Sequence, residues 1–201
     1  MNRASYSIFK PTSPKNQPSN NQILLLGWLI GFLLVFAIQN ADDSLTANIV
    51  VAYYVVIVLL TLYWGFTSMW TYRELNGEFV GEIEFSDTSI IVNGIELPLQ
   101  TLKQIDLSLG DYSGKFVGST HNDFNPKLST GVDNYVSLTE ANGSVTQIYF
   151  KVSFKGQTED LTPFIIKIMQ LGHISFLRCI GLLNINDYDE IQEFKRTYVQ
   201  T

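Results

Sequence analysis

The sequence predicts an α+β protein in which an N-terminal two-helix transmembrane hairpin precedes an antiparallel β domain with C-terminal helices. Three observations predict this class. Two charge-free apolar runs lie near the N-terminus, residues 77–154 alternate between apolar and polar side chains, and residues 159–199 have helical periodicity. We expect three parts: a disordered cytosolic tail over 1–22, the hairpin over 23–72 and a cytosolic β-rich domain over 77–201.

The tail is predicted to be disordered because Ser, Asn, Pro and Lys dominate it. The hairpin follows from length and composition, since a bilayer core needs roughly 20 apolar residues of helix. The predicted spans are 23–39 and 48–70. A cleaved signal peptide is the alternative for the first run, but a long polar leader precedes it and no A-x-A pattern follows it.

Charge predicts the orientation of the hairpin. The loop between the spans carries Asp42 and Asp43, whereas the tail carries Arg3, Lys10 and Lys15 without an acid. The positive-inside rule then places both termini in the cytoplasm, with the lipid bilayer as an integral partner.

Two glycines in the first span, Gly27 and Gly31, lie four residues apart. Small residues at this spacing let two helices approach closely. The favoured interpretation is packing against the chain's own second helix near Ala52, and the alternative is dimerisation. Ionisable side chains are absent from both predicted spans, which argues against a transporter or pump.

Composition restricts the partners of the soluble part. After Tyr72 the sequence holds 17 Asp and Glu against 10 Lys and Arg. This acidic balance is unsuited to nucleic acid, whose binding requires neutralisation of phosphates. A single cysteine, Cys179, is consistent with a reducing compartment and is interpreted as a buried small hydrophobe.

The β domain is predicted from period-two alternation and from turn chemistry. Stretches such as 79–85 and 148–154 alternate apolar and polar residues, as antiparallel strands with one buried face do. Asn93-Gly94 and Asn142-Gly143 separate strand candidates, and both predict type I′ hairpin turns. The polar stretch 110–133 is predicted to be a long loop with one short strand near 115–117.

Helical signals follow Gly156. Pro163 suits a first helical turn, and Leu161, Phe164, Ile165 and Ile168 share one face. A second short apolar helix is predicted over 174–183. A third membrane span over 163–183 is disfavoured because it would contain Lys167, His173 and Arg178, although contact of this segment with the membrane stays open.

The last helix is predicted to begin at a capping box, Asp187-Tyr-Asp-Glu190, which accounts for its cluster of acids. Its apolar stripe comprises Tyr188, Ile191, Phe194 and Tyr198.

This order of elements resembles bacterial membrane proteins that carry a pleckstrin-homology-like (PH-like) domain. The two spans, residues 81–99, and residues 134–154 followed by a helix at 161–171 carry the resemblance. The resemblance implies a binding or scaffolding module at the bacterial inner membrane and no substrate. The pattern suggests about six strands, where that fold has seven, and two additional helices follow.

Motifs for catalysis, metals or cofactors are absent from the sequence, so we expect no catalytic activity, metal or cofactor. His121 with Asp123 is interpreted as part of a solvated loop. The leading hypothesis is a membrane-anchored binding or scaffolding protein that contacts a protein partner, a lipid surface or another copy of itself. The alternatives are an accessory subunit of a membrane transport complex and a membrane-bound enzyme with a site in loop 111–133. The predicted contact surface comprises Asp111, Tyr112, Lys115, His121, Asp123, Phe176, Arg178, Tyr188 and Phe194.

Overall fold

The computed structural model of the chain describes residues 3–13, 17–38, 44–118 and 123–199. The chain forms two compact units. A sheet domain comprises Met1–Ser13, Leu75–Lys115 and Thr130–Thr201, and a helical unit comprises Pro14–Glu74 and Phe116–Ser129. The acidic loop with Asp42 and Asp43 lies outside the described residues.

The strands are β1 (Ala4–Pro11), β2 (Gly77–Phe85), β3 (Ser89–Val92), β4 (Ile95–Pro98), β5 (Leu102–Ser108), β6 (Ser113–Phe116), β7 (Leu128–Thr130), β8 (Asn134–Glu140) and β9 (Val145–Phe150). The α-helices are α1 (Asn20–Ile38), α2 (Ser44–Thr67), α3 (Thr162–Gln170), α4 (Phe176–Leu182) and α5 (Tyr188–Tyr198). Short 3₁₀ helices occupy Leu99–Thr101 and Gln157–Leu161.

Seven strands form one sheet in the order β4-β3-β2-β1-β9-β8-β5, while β6 and β7 pair with each other in a second, two-stranded sheet. Every pair of neighbours in the seven-stranded sheet is antiparallel. The predicted α+β class with an antiparallel sheet is therefore confirmed.

The prediction of a disordered tail over 1–22 is wrong for its first half, which forms β1 at the centre of the sheet. Strand β1 pairs with β2 from Ala4↔Phe85 to Pro11↔Gly77, and with β9 at Ile8↔Phe150. Ala4, Tyr6 and Ile8 are buried, whereas Ser5 and Ser7 between them are exposed. This alternation is a strand pattern, but it lies in a stretch whose composition is that of a loop. The sheet domain therefore begins before the apolar helices and not at residue 77.

The core lies between the sheet and α3. Leu161, Phe164, Ile165 and Ile168 are buried on one face of this segment, as predicted. The Phe164 ring lies 4.9 Å from that of Phe85 on β2, centroid to centroid.

One of the two predicted type I′ turns is confirmed. Asn93 and Gly94 have φ values of 50° and 82°, as both central residues of that turn require. At the second site only Gly143 has positive φ, 87°, so the turn is not type I′. The N–H of Gly143 donates to the carbonyl of Glu140, and the N–H of Glu140 donates to the carbonyl of Ser144. These bonds close a three-residue loop. Such loops place a single left-handed residue after a type I turn.

The two apolar runs form α1 and α2, each beginning three or four residues before its predicted span. Among the described residues one helix, Leu45–Thr67, is long and apolar enough to cross a membrane, with a mean hydropathy of 2.3. The described apolar part of the other helix, Asn20–Phe36, is shorter than that criterion requires.

The prediction that Gly27 and Gly31 pack against the second helix of the same chain is confirmed, although the contact does not involve Ala52, which is exposed. A Cβ at Gly27 would lie 2.8 Å from the side chain of Ile57, and one at Gly31 would lie 3.1 Å from the Tyr53 ring. The Tyr53 hydroxyl donates to the Gly27 carbonyl at 2.6 Å. The missing side chains thus leave room for a tyrosine between the helices.

The N-cap half of the predicted capping box is confirmed for the last helix, because Asp187 Oδ1 accepts from the N–H groups of Asp189 at 2.8 Å and Glu190 at 3.3 Å. The predicted apolar stripe is only partly buried. Phe194 lies in the core, whereas Tyr188 is 71% exposed.

Candidate binding cleft

Several loop residues of the predicted contact surface are engaged in contacts within the chain. Asp111 is buried, which corrects its assignment to the surface: its N–H donates to Asn134 Oδ1 and its Oδ2 accepts from the N–H of Asp133. Tyr112 packs against the core, and Lys115 Nζ donates to the Gly110 carbonyl. His121 lies outside the described residues.

Residues 116–118 and 123–129 of that loop hold the ends of the two apolar helices together, and we call these residues the clasp. Asn20 Nδ2 at the start of α1 donates to the Phe124 carbonyl at 2.9 Å, and the N–H of Phe124 donates to Asn21 Oδ1 at 2.8 Å. At the end of α2, the N–H of Lys127 donates to the Ser68 carbonyl. The clasp therefore joins the N-terminal end of α1 to the C-terminal end of α2.

Asp123 belongs to the same arrangement. Its Oδ1 accepts from Asn21 Nδ2 at 3.3 Å and from both the main-chain N–H and the side-chain amide of Asn125. These bonds explain Asp123 structurally, as a residue that holds the clasp on α1.

Helical residues of the predicted surface also have structural contacts. Phe194 is buried, so its assignment to the surface is wrong, and its ring lies 6.2 Å from that of half-buried Phe176. Arg178 donates to Asp106 Oδ1 at 3.2 Å and to the Leu107 carbonyl on β5. Because β5 is an edge strand, this bond occupies a main-chain acceptor that another chain could otherwise use.

Cys179 lies in the core, as predicted. Desolvation by burial raises the pKa of its thiol to about 11. A thiol with so high a pKa is almost wholly protonated at neutral pH and is a poor nucleophile.

An apolar cleft of about 260 Å³ lies in the sheet domain, and sequence reasoning did not identify it. One side comes from the β3–β4 hairpin and is lined by Val92, Asn93, Ile95 and Leu97. The other side comes from β5, β8 and β9 and is lined by Leu102, Leu138, Glu140, Thr146 and Ile148.

Alternation along the strands aims these side chains into the cleft. Residues two apart share one face of a strand, as Ile95 and Leu97 do on β4 and Thr146 and Ile148 do on β9. Ile95, which lines the cleft, is 68% exposed. Exposed aliphatic side chains beside a concave apolar site are typical of a contact surface.

Glu140 is the one charged residue among the nine that line the cleft. It is exposed, and its Oε2 accepts from Asn142 Nδ2 at 3.2 Å. Asn93 is already engaged, since its Oδ1 accepts from the N–H of Glu82 at 3.0 Å. A Cβ at Gly81 would lie 1.7 Å from that oxygen, so only glycine leaves it room.

The cleft can hold an apolar group by burial and can attract a cation through Glu140. Within the described ranges, His, Cys, Asp and Glu form no group of three or more able to hold a metal ion. Comparisons with protein families, curated proteins and solved structures found no match for the chain.

Proposed function

We propose that this chain is a two-pass protein of the bacterial inner membrane that displays a PH-like, non-catalytic binding domain in the cytoplasm. The cleft between the β3–β4 hairpin and strands β8 and β9 is the binding site. The apolar lining of this cleft is the observation that carries the binding role.

Strand pairing supports two spans. Strand β1 precedes α1 and β2 follows α2, yet the two pair over eight residues of one sheet. Residues before and after the helices therefore occupy one compartment. A chain that returns to its starting side crosses a bilayer an even number of times, so if α2 crosses, α1 crosses as well.

Exposure of apolar side chains supports lipid around both helices. Leu25 and Leu33 on α1 are 62% and 66% exposed, and Leu62 and Phe66 on α2 are 65% and 72% exposed. Water around so many large apolar groups would be costly, at roughly 25 cal/mol per Å². The 19 residues of α1 span about 28 Å as a helix, which is close to the thickness of a bilayer core.

Sheet topology supports the PH-like assignment. The resemblance implies seven antiparallel strands and a closing helix, and β1 raises the count in the main sheet from the expected six to seven. The order is a meander of β1 to β4 on one side and β5, β8 and β9 on the other. Helix α3 follows the last strand, and the apolar helices are inserted between the first two strands.

Site-specific crosslinking in cells tests the cleft as the binding site. A photoreactive amino acid at Ile95 is expected to give a discrete adduct, because this side chain lies at the mouth of the cleft. Thr146→Trp places an indole in the cleft from an exposed position, and we expect it to reduce that adduct at least about fivefold. Burial of a single apolar side chain contributes enough binding free energy for a change in affinity of this size.

The matched control carries the same photoreactive residue at Glu193, an exposed position on α5. Thr146→Trp should not change the amount of adduct formed from position 193. An Ile95 adduct that survives Thr146→Trp unchanged, or no adduct from Ile95 at all, would contradict the assignment of the cleft.

A further inference from the structure

We infer that the cleft takes an extended segment of a partner protein that carries an apolar side chain and, two residues from it, Lys or Arg. This inference rests on the proposed function, because it names the occupant of the proposed binding site. It depends on an unpaired strand edge, on the alternation of β4 and on the charge at the cleft.

Strand β4 ends the seven-stranded sheet, so one of its edges has no neighbouring strand among the described residues. The two-residue turn at Asn93-Gly94 makes Val92 and Ile95 a hydrogen-bonded pair, and the pair Ile90 and Leu97 follows in the same phase. The N–H and C=O of Glu96 therefore point away from β3. They offer one donor and one acceptor to an added strand.

Pro98 limits this edge to a short segment, because proline has no N–H to donate. An added strand thus gains main-chain bonds at Glu96 and must obtain most of its remaining affinity from side chains. Peptides that extend a sheet divide recognition in this way: main-chain bonds align the peptide and pockets select alternate side chains.

The pocket for such a side chain is adjacent. Ile95 and Leu97 flank Glu96 on β4 and both line the cleft, so an added strand would lie along the mouth of the cleft. A side chain of the peptide that points inward meets Leu138 and Ile148 on the opposite wall. An aliphatic or aromatic residue satisfies this lining, whereas a polar one would lose its hydration there.

Charge selects the residue two positions from that anchor, because residues two apart in an extended segment share one face. Glu140 is the charged group at the cleft, and the chain after Tyr72 is acidic, with 17 Asp and Glu against 10 Lys and Arg. Exposed charges at an interface govern partner choice more than affinity. Lys or Arg two positions from the anchor is therefore favoured, and acidic segments and anionic lipid headgroups are disfavoured.

Selection from a phage-displayed library of random heptapeptides tests the inference without a known partner. The full chain is presented in lipid nanodiscs, and binders to empty nanodiscs are removed first. We expect enriched peptides to combine an apolar residue with Lys or Arg, with basic sequences at least about fivefold more frequent than acidic ones, as one exposed ion pair permits.

Glu140→Lys should reverse this preference toward Asp and Glu, and Thr146→Trp should abolish enrichment. Glu193→Lys, a charge reversal on an exposed part of α5, serves as the matched control and should leave the basic preference intact. A preference that survives Glu140→Lys, or no enrichment by the wild-type chain, overturns the inference. The proposed function stands independently if the Ile95 adduct still depends on an open cleft.

Discussion

Tyr6→Ala is expected to destabilise the sheet domain by about 3–5 kcal/mol, the usual effect of truncating a buried aromatic residue. The Tyr6 ring packs against Phe85 and Phe150, with centroids 5.9 and 5.2 Å away. Its hydroxyl donates to the Gln157 carbonyl at 2.9 Å, and burial raises the pKa of that hydroxyl, with a smaller contribution from the carboxylate of Asp160. The substitution removes the core contact of β1 while leaving the apolar helices unchanged.

Ser7→Thr on the exposed face of β1 is the matched control and should change stability by less than about 0.5 kcal/mol. Hydrogen exchange of β2 and β9 amides, measured in detergent, reports the difference. Unchanged protection in the Tyr6→Ala protein would contradict the central position of β1, and so would a stable fragment spanning residues 75–199 without β1.

Asn134→Leu is expected to cost about 2–4 kcal/mol, because it removes the acceptor for two main-chain N–H groups and the donor to two carbonyls. Asn134 is fully buried, and its Oδ1 accepts from the N–H groups of Gly110 and Asp111 at 3.2 and 3.1 Å. Its Nδ2 donates to the Asp111 and Gly131 carbonyls at 3.0 and 3.1 Å. Each buried group left without a partner costs about 1–3 kcal/mol, partly relieved by local opening.

Protease susceptibility of the segment around Gly110 and Gly131 measures this effect, since the network holds these two stretches together. Asn186→Ala, at an exposed asparagine that bonds only locally, is the control and should leave the cleavage rate unchanged. Equal cleavage of the Asn134→Leu and wild-type proteins would show that the network does not hold the loop.

Local signals explain how much of the fold was predictable from the sequence. Alternation gave the main strands after residue 77, the Asn93-Gly94 pair gave one hairpin turn, and Pro163 and Asp187 marked helix starts. Strand β1 escaped prediction because its partner β2 lies some seventy residues away in sequence, beyond two apolar helices. Short polar residues in its outward positions gave it the composition of a tail.

The candidate site was predictable only in part. Alternation placed Ile95 and Leu97 on one face of a strand and Ile148 on one face of another strand. It does not reveal that these two faces line the same cleft and stay uncovered. That cleft depends on strand order and sheet curvature, which are set by non-local pairing. Asp111 and Phe194 were misassigned because both are buried. The Asp111 carboxylate accepts a hydrogen bond from the N–H of Asp133, and Phe194 is the buried residue of a helix whose other residues are exposed or half-buried.

The most direct test of the account is the side of the membrane on which each part of the chain lies. One cysteine at a time is introduced at Ser7, Asp43 or Glu193, in a chain that keeps the buried Cys179. Each variant is treated with a membrane-impermeant maleimide in intact spheroplasts. Two membrane spans with cytoplasmic termini predict labelling at position 43 before permeabilisation and at positions 7 and 193 only afterwards. Labelling of positions 7 and 193 from opposite sides, or release of the protein from membranes by carbonate, would contradict this topology.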